Sequence, residues 1–422
     1  MINIFSVLFY ILGLTAGVTT VVIGIGSVEA NIFTSVLAIT VFLKLITSRS
    51  IFLKQNSSEK FLIGFYMFGL IANVASIFYQ GSVWKKANIS VSFTIVFGVL
   101  GLLLVFSEDD LKRWSKFFLN GLKVNCIVQI FWGIAQYLLC EFLHIAMNYQ
   151  LGLLHSRVTV SPKFQVVGLG YERAQYCVLM IIGIIILKNS YLKVLAAMCI
   201  VLTQSRSGII MLAITLVFMH SLKEWKKLMV PNSMKKLVFI FGLLIGAFVL
   251  RNWIASYFSE VQNSFITLDV DASGVKHMSY YSYFINTVRS MNPLNTFFGY
   301  GTATSGYPYT VLYGINDRGI AWNLESTWLA NFWGYGLPGF ICWFTWMTKS
   351  CATYFKQNKQ IFSVFLAVLT GGLGYQLMPN FIITALIFLR ASFQSEENKS
   401  GSTDKVSVIL HDVHAMKEDF SY

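Results

Sequence analysis

Residues 174–220 read AQYCVLMIIGIIILKNSYLKVLAAMCIVLTQSRSGIIMLAITLVFMH. Three apolar runs follow one another here, at about 174–188, 191–203 and 208–220, parted only by Asn189-Ser190 and by the polar turn Gln204-Ser205-Arg206-Ser207. Runs of this kind recur along nearly the whole chain, and most are long enough to cross a bilayer as a helix. Of the 422 residues 55% are apolar and only 12% charged, too few charges to cover a soluble globule of this size. The fold class is therefore all-α, a polytopic membrane protein. A transmembrane β-barrel would alternate in polarity, which these runs do not.

Working outward, helices are expected at about 3–25, 31–47, 61–79, 90–106, 124–143, 174–188, 191–203, 208–220, 236–253, 325–348, 361–376 and 379–393, about twelve in all. The last pair, around Gly371-Gly372-Leu373-Gly374, reads either as two spans or as one re-entrant unit. The N-terminus MINIFSVLFYILGL has no basic n-region and no small-residue cleavage site, so it is expected to persist as a helix rather than to be removed. Residues 1–393 form the membrane domain, and the polar, mixed-charge stretch 394–422 forms a cytoplasmic tail.

The net charge of +13 is distributed by topology. With the N-terminus inside, 22 of the 32 basic residues fall on the cytoplasmic side. Two long external segments result, at about 144–173 and 254–324. The basic residues sit in short segments between apolar runs rather than in one solvated stripe, so no nucleic-acid partner is expected. The five lysines of Lys223–Lys236 read as a topology anchor.

Lysine and arginine divide differently. Nineteen of 23 lysines lie inside, but six of nine arginines (Arg157, Arg173, Arg206, Arg251, Arg289 and Arg318) lie outside, where topology disfavours them. A planar guanidinium that grips phosphate oxygens in bidentate fashion is a reason to keep arginine there. An external anionic ligand, a phosphate, is one reading; pairing with Glu172, Glu260, Asp269, Asp271 and Asp317 is the other.

Three external elements carry the candidate chemistry. In Gln204-Ser205-Arg206-Ser207-Gly208 an arginine sits near the membrane face, with Ser205 and Ser207 as possible donors beside it and Gly208 permitting close approach; the alternative is an ordinary polar turn. Arg157 and Arg173 flank the glycine-punctuated stretch Gly168-Leu169-Gly170, and Arg173 falls in the first turn of a helix, where the macrodipole disfavours a cation unless an anion or Glu172 compensates. Asn323-Leu324-Glu325-Ser326 opens another helix. Glu325 is either a general base for an attacking hydroxyl or a first-turn carboxylate favoured by the dipole behind an Asn323 cap. Tyr300, Tyr307 and Tyr309 could stack on sugar rings.

Other chemistries lack support. The six cysteines show no CxxC pair, Asp269-Val270-Asp271 has no companion ligands, and there is no HxxxH spacing, GxSxG elbow or P-loop. No metal and no cofactor is expected. A transporter, such as a lipid-linked oligosaccharide flippase, would show repeated halves and ionisable residues at mid-membrane, which this chain does not.

These elements together resemble the O-antigen polymerase and O-antigen ligase superfamily, over roughly residues 150–392. Ser205-Arg206-Ser207-Gly208 is similar to the family's SRSG-type turn. Asn292-Pro293-Leu294 followed by Gly299-Tyr300-Gly301 is similar to its large-loop motif. Glu325-Ser326, nine residues, Gly336, two residues and Gly339 match the ligase pattern with glutamate in the place of histidine. That exchange favours the polymerase (Wzy-type) branch over ligation. An arginine usual before the Pro-Leu pair is absent, and Arg289 is the candidate substitute.

The resemblance implies a GT-C-like fold in a bacterial inner membrane, with a large periplasmic loop. It implies a metal-independent glycosyltransferase whose substrates are undecaprenyl-pyrophosphate-linked glycans in membrane lipid, working alongside a polysaccharide chain-length regulator. Glu325 and Arg206 would be catalytic, and Arg157, Arg173, Arg289, Tyr300, Ser205 and Ser207 would bind substrate.

Overall fold

Apolar runs capped by small polar residues become helices, and the caps set where each begins. Asn3, Asn189, Asn292, Ser326 and Asn358 each accept a backbone N–H of the first helical turn through the side chain. The structure is a computed structural model. It describes residues 3–18, 22–25, 28–47, 59–143, 166, 168–169, 173–203, 205–219, 280–313, 324, 326–374, 377 and 380–393. The expected helix 236–253, the tail, the lysine-rich stretch, Asp269-Asp271, Arg157, Arg318 and Glu325 lie outside the described residues.

The described helices are α1 (Ile4–Leu14), α2 (Ile32–Thr47), α3 (Glu59–Tyr79), α4 (Ser82–Val96), α5 (Val99–Val105), α6 (Glu108–Leu143), α7 (Arg173–Ile186), α8 (Ser190–Leu202), α9 (Arg206–Met219), α10 (Phe284–Ser290), α11 (Pro293–Phe298), α12 (Tyr307–Tyr313), α13 (Thr327–Gln357), α14 (Lys359–Gly371) and α15 (Asn380–Phe393). Among the described residues three stretches are long and apolar enough to cross a membrane: Glu59–Tyr79, Trp84–Val105 and Glu108–Leu139. Seven further apolar helices have 10–17 residues.

Several boundaries differ from those expected. The helix expected at 3–25 ends at Leu14, and a small antiparallel hairpin follows, β1 (Val22–Ile25) with β2 (Val28–Asn31). Val22, Ile23 and Ile25 are β-branched, a bias that an apolarity count cannot separate from a buried helix. The span expected at 90–106 is two pieces, broken at Phe97-Gly98. α6 begins sixteen residues before the expected 124, because Glu108, Asp109 and Asp110 suit a helix N-terminus. Lys112 pairs with Glu108 at 2.8 Å and Lys44 with Asp110 at 3.1 Å, so this charged turn is knit into the fold. The Gly371–Gly374 stretch is a turn that ends α14 before α15 starts at Asn380.

Packing is tightest where small residues let helices meet. Gly13 of α1 lies against the Phe118 carbonyl of α6, and Gly121 of α6 against the Tyr10 carbonyl of α1. Asn125 of α6 donates to the Ala16 carbonyl just past α1. α3 and α13 run antiparallel: Gly64 meets Cys342, Gly69 meets Tyr335, and Glu59 forms a buried ion pair at 3.1 Å with Arg390 of α15. Arg390 also donates to Ser350 of α13. This pair ties α3, α13 and α15 together.

The large loop is not a separate appendage. α11 packs against both α3 and α13, and Thr302 touches Gly69, half way along α3. The 21 residues of α3 rise about 31 Å, close to the hydrocarbon thickness, so residues 299–305 sit level with its C-terminal half. Irregular backbone at that depth is tolerated only where protein groups satisfy it.

Candidate active site

The SRSG turn becomes a helix start. Ser205 accepts the Gly208 N–H at 3.2 Å in capping geometry, and its hydroxyl lies 3.1 Å from that of Ser207. Both serines are buried, at 1% and 7% exposure, and their hydroxyls serve the turn itself. Arg206, partly exposed, is the first residue of α9. Gly208 fits against Cys177 of α7, where an added Cβ would come within 3.2 Å of the Cys177 Cβ. The Cys177 thiol meets Thr203 Oγ1 at 3.3 Å.

These contacts bring α7 and α9 together at their N-terminal ends. Arg173, the first residue of α7, lies one turn before Cys177, so Arg173 and Arg206 open two neighbouring helices at the same end of the bundle. The segment before Arg173 is held by α6. The Gln136 side chain exchanges two hydrogen bonds with Gly168, at 2.8 and 3.1 Å, and Gln129 accepts the Leu169 N–H at 2.8 Å. Two cations at paired helix N-termini face the positive ends of both dipoles, an arrangement that an anion relieves.

The start of α13 is at the same end. Gly371 of α14 packs on Met211, five residues beyond Arg206, and the turn after it anchors α13. The Thr327 N–H donates to the Gly372 carbonyl at 2.9 Å, the Leu377 N–H to Thr327 Oγ1 at 2.6 Å, and Trp328 Nε1 to the Leu369 carbonyl at 2.9 Å. The cap of α13 is Ser326, not Asn323, and Glu325 stands one position before it in the sequence. Its two neighbours are buried at 1% each and pinned: the Leu324 N–H donates to Ser305 Oγ at 3.1 Å, and Ser326 Oγ lies 2.7 Å from the Tyr281 phenol. Tyr281 in turn donates to the Leu373 carbonyl. Burial pushes the Tyr281 phenol above its ordinary value of 10, with the Ser326 hydrogen bond acting the other way, so it remains a donor at neutral pH.

Two of the remaining candidates lie elsewhere. Arg289 is exposed in the last turn of α10, where a cation suits the dipole, rather than at a helix start. Tyr300 is fully buried. Its ring stacks on Tyr307 at 5.8 Å and meets Tyr79 edge-on at 5.7 Å and Trp333 at 5.9 Å, so its faces are covered by protein rather than open to a sugar. Tyr309, also expected to stack on sugar, is likewise buried; Tyr307 is partly buried.

The two glycine motifs are halves of one joint. Gly299 has φ 93° and Gly336 has φ 71°, both in the region that favours glycine. A Cβ on Gly299 would lie 2.5 Å from Gly336 N, and one on Gly336 would lie 2.5 Å from Phe298 C and 2.7 Å from Gly299 N. The break in α13 at Gly336 thus admits the end of α11, and the Tyr300 N–H reaches the Trp333 carbonyl at 2.6 Å.

One polar set escaped sequence reading. Asn73 and Ser76 of α3, Gln80 just past its end and Asn88 of α4 are buried at 4% or less and hold residues 300–304. Their signal is the spacing i, i+3, i+7 of polar residues in an otherwise apolar helix, which marks one buried polar face.

Residues 191–344, about a third of the chain, match the family model Wzy_C, described as O-Antigen ligase. No curated protein and no solved structure matches the chain significantly. The matched stretch contains Arg206, the Gly299–Gly301 segment and the Gly336 joint, and over these residues the chain is similar to that family.

Proposed function

We propose that the protein is an O-antigen polymerase, which joins undecaprenyl-pyrophosphate-linked repeat units at the periplasmic face of a bacterial inner membrane. The observation that carries this reading is the meeting of three helix starts, those of Arg173, Arg206 and the Leu324–Thr327 turn, at one end of the bundle. In the proposed reaction Arg206 and Arg173, with Arg157, hold the pyrophosphate and stabilise the charge that develops on it as the anomeric C–O bond breaks. Glu325 takes the proton of the acceptor hydroxyl as its oxygen attacks the anomeric carbon of the growing chain, with inversion there. Undecaprenyl pyrophosphate leaves, and the cleaved linkage supplies the driving force. About twelve spans with both termini inside complete this reading.

Ligation to lipid A core is the second reading, favoured by the similarity of residues 191–344 to the O-Antigen ligase family. The glutamate at 325, where the ligases carry histidine, favours polymerisation. The test is the lipopolysaccharide ladder of a deletion strain complemented with wild type, Arg206→Ala, Arg173→Ala or Glu325→Gln, with membrane levels checked by blot. Core bearing one repeat and no ladder supports the polymerase; loss of the single repeat as well supports the ligase; a full ladder from Glu325→Gln removes the base assignment.

A further inference from the structure

The segment Gly299–Ser305 is held from the far end of the sequence. Asn88 Oδ1 accepts the Ala303 N–H at 3.0 Å, and Asn88 Nδ2 lies within 3.0 Å of Thr304 Oγ1, Gln80 Oε1 and Ser76 Oγ. Asn73 Oδ1 accepts both the Thr302 N–H, at 2.7 Å, and its hydroxyl, at 3.0 Å, and Asn73 Nδ2 donates to Ser92 at 2.9 Å. Gln80 Nε2 donates to the Tyr300 carbonyl, and the Tyr79 hydroxyl donates to the Gly299 carbonyl at 2.7 Å. Gly301 lies so close to Asn88 that an added Cβ would come within 2.5 Å of Asn88 Cγ.

This network leads to the candidate carboxylate. Thr304, gripped by Asn88, is followed by Ser305, which is fully buried and accepts the Leu324 N–H. Leu324 directly precedes Glu325. No step of the proposed reaction uses Asn73, Gln80 or Asn88, and all three lie outside the matched residues 191–344. Three buried amide side chains in and beside apolar helices are costly unless each is matched, and here each is matched to backbone or hydroxyls of the same loop.

We propose that Asn88, supported by Asn73 and Gln80, is a positioning residue that sets the Leu324–Ser326 turn through Thr304 and Ser305, so that the N-terminal third of the chain builds the floor of the active site. This inference rests on the polymerase reading for its kinetic consequence and on hydrogen bonds alone for its structural one. A displacement of about 1 Å at a reacting group costs up to a hundredfold in rate. The arginine-bearing helix starts of α7 and α9 are not part of the network, so binding of the pyrophosphate is left as it was.

The test uses the full chain in proteoliposomes with a purified lipid-linked repeat unit as substrate, comparing wild type with Asn88→Leu and Ser305→Ala. Ser305→Ala removes only the hydroxyl that links the clamp to Leu324 and guards against misfolding of the bulkier change. The expected result is a kcat reduced about tenfold to a hundredfold with KM within about twofold, in both variants. Hydrogen exchange of the peptide containing the Leu324 amide should quicken in both. Wild-type kcat together with wild-type exchange at Leu324 in Ser305→Ala overturns the inference. Arg206→Ala and Glu325→Gln run beside them: if these two turn over normally, the polymerase reading fails, while the exchange at Leu324 still decides the positioning role.

Discussion

Gly336→Ala tests the joint that both glycine motifs build. At φ 71° and ψ 175° the position is one that residues with a Cβ scarcely visit, which costs about 1–3 kcal/mol. The new methyl also meets the Phe298 and Gly299 backbone at 2.5–2.7 Å, and backbone cannot swing aside as a side chain can, so overpacking adds about 1–3 kcal/mol. The sum, about 4 kcal/mol, weakens docking of α11 on α13 by about a thousandfold. Hydrogen exchange at Tyr300, whose N–H donates to the Trp333 carbonyl, reports that docking directly. Gly334→Ala is the matched control: two residues away, its Cβ would make contacts of 3.4–3.5 Å and its φ is not positive. The expectation is a large loss of Tyr300 protection and a lost ladder in Gly336→Ala, and near wild-type behaviour in Gly334→Ala. Equal protection in the two variants would refute the joint.

Three further outcomes are expected. Glu59→Gln leaves the Arg390 charge buried and should destabilise by about 3–5 kcal/mol, whereas Glu59→Leu with Arg390→Met should recover most of that; a thermal-stability series in detergent reads both, and additive losses would show the pair is not coupled. Ser205→Ala removes the α9 cap and should cost about 1 kcal/mol, while Ser207→Ala should be nearly neutral in stability, so a reversed order would contradict the capping geometry. The Tyr281 phenol, raised by burial, favours its neutral form in the folded state; its contribution is complete below pH 10 and fades as pH rises through the folded value. Tyr281→Phe should therefore flatten the alkaline loss of stability that sets in above about pH 10, and an unchanged alkaline profile would separate Tyr281 from it.

Local pattern revealed much of the helical layout, because a helix that must satisfy its own backbone in lipid writes that need as a continuous apolar run. The runs around 31–47, 61–79, 174–188, 191–203 and 208–220 lie within two or three residues of the described helices. The pattern failed where apolarity was not the deciding term. Val22–Ile25 is apolar and pairs as a strand, and Glu108–Lys123 is charged and helical. At the site, the SRSG turn and the position of Arg173 at a helix start were legible, since caps and charges act within one turn.

The sequence by itself determined that this is a helical membrane protein with polar turns carrying arginine where topology would discard it, because transfer of side chains into lipid and capping of helix ends are local energies. Only the tertiary structure decided what those turns meet. Gly299 and Gly336 are separated by a helix and a loop yet share one backbone contact, and Asn88 reaches Thr304 across 216 residues. Tyr300, an open aromatic in sequence, is covered by three rings, and Ser326 takes the cap expected of Asn323. Such pairings depend on which faces of α3, α4 and α13 come together, and close packing, unlike periodicity, is settled only when the partner surfaces are both in place.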